Sequence, residues 1–448
     1  MDTICALATP NGRGAVSIVR LSGPQSCAIL NRLVRTPRAL QARVQTFCTL
    51  YDGDEILDKA LVTYFQAPAS FTGEDVVEFA VHASPYITGR LLELLCNYGA
   101  VLAKRGEFSE RAFFNGKMDL IEAQGLCDLI AAGNKAAHRL AMTSLDGKLS
   151  ARLESLKKKI SELLAQIEVR LDDVDEEMTP LSNDFIHSEI TTLVTDIKTL
   201  ADTFSVGKFI KDGIKTAIVG VPNSGKSSLL NALVGFDRVI VSDQSGTTRD
   251  TIEEVLEING QKIILTDTAG IRDHALDPAE QEGMKRSKRA MEQADVILFV
   301  LDASRDVTNE EKSLWREIQQ AGKKVLLVRN KSDKGNILCT LENISLFTQL
   351  TVSCKTGAGI EDLKKELTDT VTHAAGSDGL MISNLRHYQS LVRAQTELET
   401  ALLQQDNTGG EIYAEYLRRA LTYLQDLIGE VTPDDVLGII FSQFCMGK

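Results

Sequence analysis

Gly220-Val-Pro-Asn-Ser-Gly-Lys-Ser227 places two glycines, a lysine and a hydroxyl at the spacing of a loop that wraps phosphate. Gly220 and Gly225 let backbone N–H groups curl around phosphate oxygens. Lys226 can reach the β and γ oxygens, and the Ser227 hydroxyl can ligate Mg2+. Asn223 and Ser224 complete the loop, and Ser228 follows it as a further GTP-binding residue. Three further motifs follow in order: Gly246-Thr-Thr-Arg-Asp250, Asp267-Thr-Ala-Gly270 and Asn330-Lys-Ser-Asp333. Asp267 is expected to hold Mg2+ through its water shell, with Thr268 and Ala269 leading to the Gly270 N–H at a γ-phosphate. Thr248 is expected to complete the Mg2+ shell. The Asp333 carboxylate can accept from the N1–H and 2-amino group of guanine, which adenine cannot match; Asn330 and Lys331 belong to the same motif. Ser353, Cys354 and Lys355 would close over the base. The set predicts a GTP site.

The elements that must position these groups are legible around them. Ile214 to Val219 reads as a buried strand and Ser228 to Val234 as a helix, the context that the phosphate loop needs. Strand-like runs at Ile263 to Leu265, Val325 to Val328 and Leu350 to Val352 precede the later motifs. Position 271 is Ile, where a Ras-like enzyme uses Gln to orient water. Hydrolysis must therefore draw a polar group from elsewhere. Glu280 is the candidate; read alone, it is also an ordinary helix-start carboxylate.

The chain has 448 residues, enough for about three domains. Its composition, 43% hydrophobic and 25% charged, is that of a globular protein. A net charge of −13 argues against diffuse electrostatic attraction to nucleic acid, so any RNA contact needs a local basic patch or a partner. No run of about 18 apolar residues predicts a membrane span, and the N-terminus lacks a signal pattern. Eight scattered cysteines without zinc spacing suggest reduced thiols and a cytoplasmic setting.

Residues 1 to about 118 read as mixed, with strands at Ala15 to Leu21, Ala60 to Phe65 and Val76 to His82 and a helix at Ile87 to Tyr98. Helical spacing then runs from Leu149 to Leu171, from Ile186 to Phe204, from Leu385 to Val392 and from Tyr413 to Ile428. Amphipathic helices must bury their stripes. One helical domain built from both halves, with the GTP domain inserted near Gly213 and near Ala374 to Asp378, is the expected arrangement; two independent helical tails are the alternative. The C-terminal Phe441-Ser-Gln-Phe-Cys-Met-Gly-Lys448 places Cys445 three residues from a terminal lysine. That thiol is either an activated nucleophile or a small buried hydrophobe.

Asp2-Thr-Ile-Cys-Ala-Leu-Ala-Thr-Pro-Asn-Gly-Arg-Gly14, Ser70-Phe-Thr-Gly-Glu-Asp75, Arg105 to Lys117 and the terminal Phe-Cys-x-Gly-Lys are similar to segments of the MnmE (TrmE) family of tRNA-modifying GTPases. The resemblance spans essentially the whole chain. It implies a multidomain α/β protein: an N-terminal α+β tetrahydrofolate-binding and dimerisation domain at 1–118, an all-α helical domain at 119–212 and 376–448, and an inserted Ras-like P-loop α/β G domain at 213–375. It further implies a cytoplasmic homodimer that works with an FAD- and NADH-using MnmG-type partner, in a heterotetramer or larger complex, to add an aminomethyl-type group (carboxymethylaminomethyl or aminomethyl) at C5 of the wobble uridine, position 34, of certain tRNAs. Arg20, Glu78, Lys117 and Lys448 would contact a one-carbon tetrahydrofolate. Cys445 matches the family's functionally important cysteine. Hydrolysis would depend on K+, held by the Asn223 side chain and by loop positions Ser242, Gln244 and Thr247, with Asp243, Ser245 and Gly246 between them in the GTP-binding segment. Glu280 matches the water-orienting glutamate. Three segments depart from the family pattern: His82-Ala-Ser-Pro85 for His-Gly-Gly-Pro, Glu122-Ala-Gln-Gly125 for Gln-Ala-Glu-Ala, and the terminal motif with Met446 for Ile. A regulatory GTPase of ribosome assembly or signalling, without modification chemistry, is the alternative left by the GTP motifs alone.

Overall fold

Two sheets organise the chain, and the side-chain alternation along their strands decides what covers them. The computed structural model describes residues 2–35, 40–171, 181–236, 238–239, 253–267, 288–335, 337, 340–372, 380–404, 410–442, 444 and 447. The described chain divides into two compact units. One comprises Met1–Ile130, Ser144–Leu193 and Arg393–Lys448; the other comprises Ala131–Thr143 and Val194–Val392.

The first unit opens with β1 (Ile4–Leu7), β2 (Val16–Ser22), α1 (Ser26–Leu33), β3 (Thr46–Asp52), β4 (Glu55–Phe65), β5 (Val76–His82), α2 (Pro85–Asn97) and β6 (Val101–Leu102). The strands form one sheet in the order β3-β4-β5-β2-β1-β6. All pairs are antiparallel except β1 with β6. Val19 and Leu21 of β2, and Val77, Phe79 and Val81 of β5, point to one face, where they pack with Ile29, Leu33, Leu91 and Leu95 of α1 and α2. Period-two burial leaves Arg20 and Glu78 on the opposite face, directly paired in register. That face carries the site chemistry of this unit.

Helices follow: α3 (Glu107–Phe114), α4 (Leu120–Ala131), α5 (Lys135–Leu145), α6 (Lys148–Leu171), α7 (Asn183–Ala201) and α8 (Phe204–Asp212). Leu149, Leu153, Leu156, Ile160, Leu163, Leu164 and Ile167 are buried along α6, as the spacing predicts. The expected run from Ile186 to Phe204 is broken at Asp202 and Thr203 into α7 and α8.

The second unit holds β7 (Ile214–Val219), α9 (Lys226–Phe236), β8 (Arg238–Val239), β9 (Glu253–Ile258), β10 (Gln261–Asp267), β11 (Val296–Asp302), α10 (Asn309–Gln320), β12 (Lys324–Asn330), β13 (Thr348–Thr351) and α11 (Ile360–Thr372). Its sheet runs β13-β12-β11-β7-β10-β9-β8. The first five of these are parallel, and β9 and β8 add an antiparallel edge. Near-continuous apolar strands bury both faces, as a parallel sheet requires. In β11, Val296, Leu298 and Val300 enter one core, while Ile297, Phe299 and Leu301 enter the other with Trp315. From β7 the chain crosses to β10 on one side and then to β11 on the other. The carboxyl ends of β7 and β11 therefore flank the switch point where doubly wound sheets bind ligands.

The chain ends with α12 (Leu385–Leu402), α13 (Glu411–Ile428) and α14 (Asp434–Ser442). Within the first unit, α13 packs on α6, with Lys157 bridging to Glu430 at 2.6 Å and Arg418 to Glu168 at 2.6 Å. Helices from before and after the α/β segment thus share one core. Within the second unit, Ile382 N donates to the buried Thr203 Oγ1 at 3.0 Å, and a Cβ on Gly207 would collide with the Ile382 carbonyl. The segments leading into and out of the insertion, α8 and the stretch at Ile382, are held side by side. The protein therefore combines an N-terminal α+β domain, an all-helical part and an inserted P-loop α/β domain.

Candidate functional site

The loop from β7 to α9 places the phosphate motif at the switch point. Gly220 and Gly225 are required there by space. A Cβ on Gly220 would lie 2.5 Å from the Val300 carbonyl oxygen and 2.8 Å from Ser224 Oγ. Gly225 has a φ of +101° and faces the side-chain amide of Asn330. Lys226 is buried, and its Nζ donates to the carbonyls of Gly220 at 2.9 Å and Val221 at 3.0 Å. Its ammonium therefore lies across the loop that it belongs to. Ser227 and Ser228 are exposed in the first turn of α9, where free N–H groups and the helix dipole favour an anion. The fully buried Ser224 Oγ has no hydrogen-bond partner among the described residues. An orphaned hydroxyl inside this loop fits a polar ligand there.

The base motif comes from the ends of β12 and β13. Asn330 is buried and makes three ties: its Nδ2 donates to Gly225 O at 3.4 Å, and its Oδ1 accepts from Lys331 N at 2.7 Å and Cys354 N at 3.2 Å. Lys331 Nζ donates to Asn223 O at 2.6 Å and to Asp302 Oδ2 at 2.7 Å. Asp333 is exposed, and Ser353 Oγ donates to it at 2.8 Å. That hydrogen bond holds the Asp333 carboxyl below the usual range, ionised and acceptor-only. Burial pushes the Cys354 thiol up to about 11. Lys355 is exposed at the rim. Asn223, Ser224, Gly225, Lys226, Ser227, Asn330, Lys331, Asp333, Ser353 and Cys354 thus gather at one end of one sheet.

Oxygen donors available for a hard cation are the exposed Ser227 hydroxyl and the exposed Asn223 carboxamide. The backbone of Asp267 ends β10 beside β7, in register with Ile218. Among the described residues no cluster of three His, Cys, Asp or Glu side chains could hold a metal. The Asp267 side chain, Ser242, Asp243, Gln244, Ser245, Gly246, Thr247, Thr248, Thr268, Ala269, Gly270, Glu280, Cys445 and Lys448 lie outside the described residues.

A second constellation lies on the open face of the first sheet. Arg20 pairs with Glu78 at 2.8 Å, and both side chains keep some exposure, 17% and 25%. The guanidinium lies 5.4 Å from the Phe71 ring centroid and 5.6 Å from that of Phe108. Arg20 Nη1 also donates to the carbonyl of Gly447 at 3.2 Å. The C-terminal segment is anchored for this contact: Phe441 and Phe444 pack with Leu120 and Ala123. Gly447, at a φ of +83°, lies against Leu7 and Ala8 too closely for a side chain. Arg111 is buried between Glu74 at 3.2 Å and Glu107 at 2.9 Å, which fixes the segment carrying Phe71. Lys117 Nζ donates to Pro68 O at 3.0 Å at the other end of that segment. A partly exposed guanidinium between two rings, with a carboxylate beside it, fits a ligand with both an acidic tail and a polar heteroaromatic edge. At the loop that departs from the family pattern, Ser84 precedes α2, Pro85 opens it, and His82 Nδ1 meets Asp58 Oδ1 at 2.8 Å.

Sequence reasoning missed Asp302, Phe71 and Phe108. Asp302 had a readable signal, since it ends six apolar residues and is followed by Ala-Ser, a strand end opening into a turn. Phe71 and Phe108 had none, because their value depends on Arg20 arriving from another strand.

Comparison with known proteins agrees over the whole length. The family described as "MnmE helical domain" matches residues 120–445, and "GTP-binding protein TrmE N-terminus" matches residues 3–117. The tRNA modification GTPase MnmE of Aquifex aeolicus is 40% identical over 451 residues, covering 100% of both chains. The protein of the same description from Christiangramia forsetii is 37% identical, covering 100% of this chain and 99% of that one. Among solved structures, Aquifex aeolicus Era bound to GDP and AlF4- is similar over 43% of this chain and 68% of its own, at 27% identity and a TM-score of 0.28.

Proposed function

The chain belongs to the MnmE family of tRNA modification GTPases, and on that premise we propose that it hydrolyses GTP in a K+-dependent manner to drive modification at C5 of the wobble uridine of certain tRNAs. The observation that supports the GTP part of the reading is the tie between phosphate loop and base motif, Asn330 to Gly225 and Lys331 to Asn223. One nucleotide can satisfy both halves of such a site.

In this reading Lys226 exchanges its loop carbonyls for β and γ oxygens. Asp333 takes the guanine N1–H and 2-amino group while Ser353 keeps it ionised. Ser353, Cys354 and Lys355 close over the base. Ser227 and Thr248 hold Mg2+, with Asp267 acting through water, and Thr268, Ala269 and Gly270 face the γ-phosphate. Asn223 and the backbone carbonyls of Ser242, Gln244 and Thr247 hold K+, with Asp243, Ser245 and Gly246 in the same nucleotide-binding segment. When bound, K+ supplies positive charge where other GTPases use an arginine. Glu280 orients the attacking water in place of the glutamine that Ile271 excludes.

The second constellation supports a folate role. Arg20 and Lys117 take the acidic tail of a one-carbon tetrahydrofolate, Glu78 reads its polar ring edge, and Lys448 adds a cation. Cys445 lies two residues before Gly447, whose carbonyl Arg20 holds; nucleophilic catalysis is its proposed role. The working assembly is a cytoplasmic homodimer with an FAD-dependent MnmG-type partner. Its parts are a folate-binding and dimerisation domain at 1–118, a helical domain at 119–212 and 376–448, and the G domain at 213–375. Among the described residues no helix is long and apolar enough to cross a membrane.

Calorimetry with 5-formyltetrahydrofolate tests the modification arm. Saturable binding by the folded chain is expected; its absence would leave a GTPase without one-carbon chemistry.

A further inference from the structure

Asp302 lies outside all four nucleotide motifs, yet its carboxylate holds the lysine that joins two of them. It ends β11 at the switch point, in register with Asn330 on β12. Its side chain is 10% exposed. One oxygen, Oδ1, accepts from Ser304 N at 3.0 Å and Ser304 Oγ at 2.7 Å. The other, Oδ2, faces Lys331 Nζ at 2.7 Å. Two anchors on one oxygen fix the direction of the other.

Lys331 needs such an anchor. Its backbone is left-handed, with a φ of +65°, and so is that of Asn223, at +62°. Neither is glycine, so both conformations cost energy and persist only where surroundings hold them. The bond from Lys331 Nζ to Asn223 O at 2.6 Å joins these two residues. Asn223 belongs to the phosphate loop, Lys331 to the base motif, and Asp302 to neither.

We propose that Asp302 is a positioning residue for guanine-nucleotide binding: it orients Lys331 so that the lysine clamps the phosphate loop at Asn223. The inference rests on the GTP-site reading above. Near its lysine partner and the Ser304 hydroxyl, and despite burial that opposes ionisation, the Asp302 carboxyl is held at about 2, so it is ionised wherever the protein is handled. A carboxylate that only shaped the turn at Ser304 would affect folding and leave nucleotide affinity alone.

The test is a double-mutant cycle on the full chain, read by fluorescence titration with a methylanthraniloyl derivative of GDP and by thermal melting. D302N keeps the shape and the Ser304 contact but removes the charge. It is expected to weaken GDP about tenfold, the scale of one charged hydrogen bond. In a K331M background the same change is expected to have no further effect. Wild-type affinity in D302N, beside weakened binding in K331M, overturns the inference and leaves the GTP site standing. Equal losses in both backgrounds also overturn it. A wild-type chain that does not bind GDP overturns the site reading, and the inference with it. Should D302N fold poorly by circular dichroism, S304A replaces it, because it removes one of the two anchors on Oδ1, leaving the backbone N–H, and keeps the charge. S304A is expected to weaken GDP about threefold with Lys331 present and not at all in K331M; no effect, or an equal effect in both, overturns the inference.

Discussion

The side-chain amide of Asn330 donates to the carbonyl of Gly225 at 3.4 Å, so a residue of the base motif supports the loop of the phosphate motif. The same side chain accepts from the backbone of Lys331 and Cys354. One buried amide therefore organises three segments that are remote in sequence.

Asn330→Ala leaves the part-buried N–H groups of Lys331 and Cys354 without their acceptor and removes one of two donors to the Gly225 carbonyl, which keeps Leu229 N at 2.9 Å. Each such orphan costs about 1–3 kcal/mol. Guanine-nucleotide affinity is expected to fall by about one to two orders of magnitude, measured by GDP titration. Affinity within a factor of about two of the wild type would show that the loop stands without this amide.

Asp333→Asn replaces an acceptor by an amide that can also donate. Guanine presents only donors at N1 and the 2-amino group, so GTP binding is expected to drop at least about a hundredfold. Xanthosine triphosphate, which carries a carbonyl at that edge, is expected to regain affinity. Competition titration of the two nucleotides checks this, and an unchanged preference for GTP would remove Asp333 from the base site.

Arg20→Ala strands Glu78 and the Gly447 carbonyl together. Folate affinity by calorimetry is expected to fall at least about tenfold. Arg20→Lys keeps the charge but loses the planar fork, so it is expected to recover little of that loss. Full folate binding by either variant would mean that the Arg20–Glu78 pair is structural only.

Cys354 has a thiol that burial pushes up to about 11. It is protonated at pH 8, and the thiolate is the reactive form. Alkylation by iodoacetamide at pH 8, followed by mass spectrometry, is expected to be much slower than for a small free thiol. Equal rates would contradict the burial of this side chain.

Much of the fold was legible because long strands and helices announce their period. Val76 to His82 and Ile214 to Val219 are strands at those bounds, and α6 buries its leucines on the expected stripe. Ile4–Leu7 and Thr46–Asp52 were not recognised as strands. The first is only four residues long, and the second is an edge strand with a single fully buried side chain, so neither shows clear alternation. The break between α7 and α8 was hidden because Leu200 and Phe204 keep helical spacing across it. At the site, contiguous motifs named Lys226, Asn330 and Asp333. The clamp from Asp302 and the rings beside Arg20 are contacts between distant segments, which local pattern does not encode.

In the proposed function, GTP turnover by this chain serves a tRNA modification. Mass spectrometry of wobble uridines, in tRNA from cells lacking the chain and from cells carrying Glu280→Ala, tests it most directly. Loss of the C5 aminomethyl-type group is expected in the deletion, with its return on supplying the wild-type chain. No return is expected with Glu280→Ala, although that variant is expected to bind GTP. Fully modified wobble uridines in the deletion strain would contradict the account.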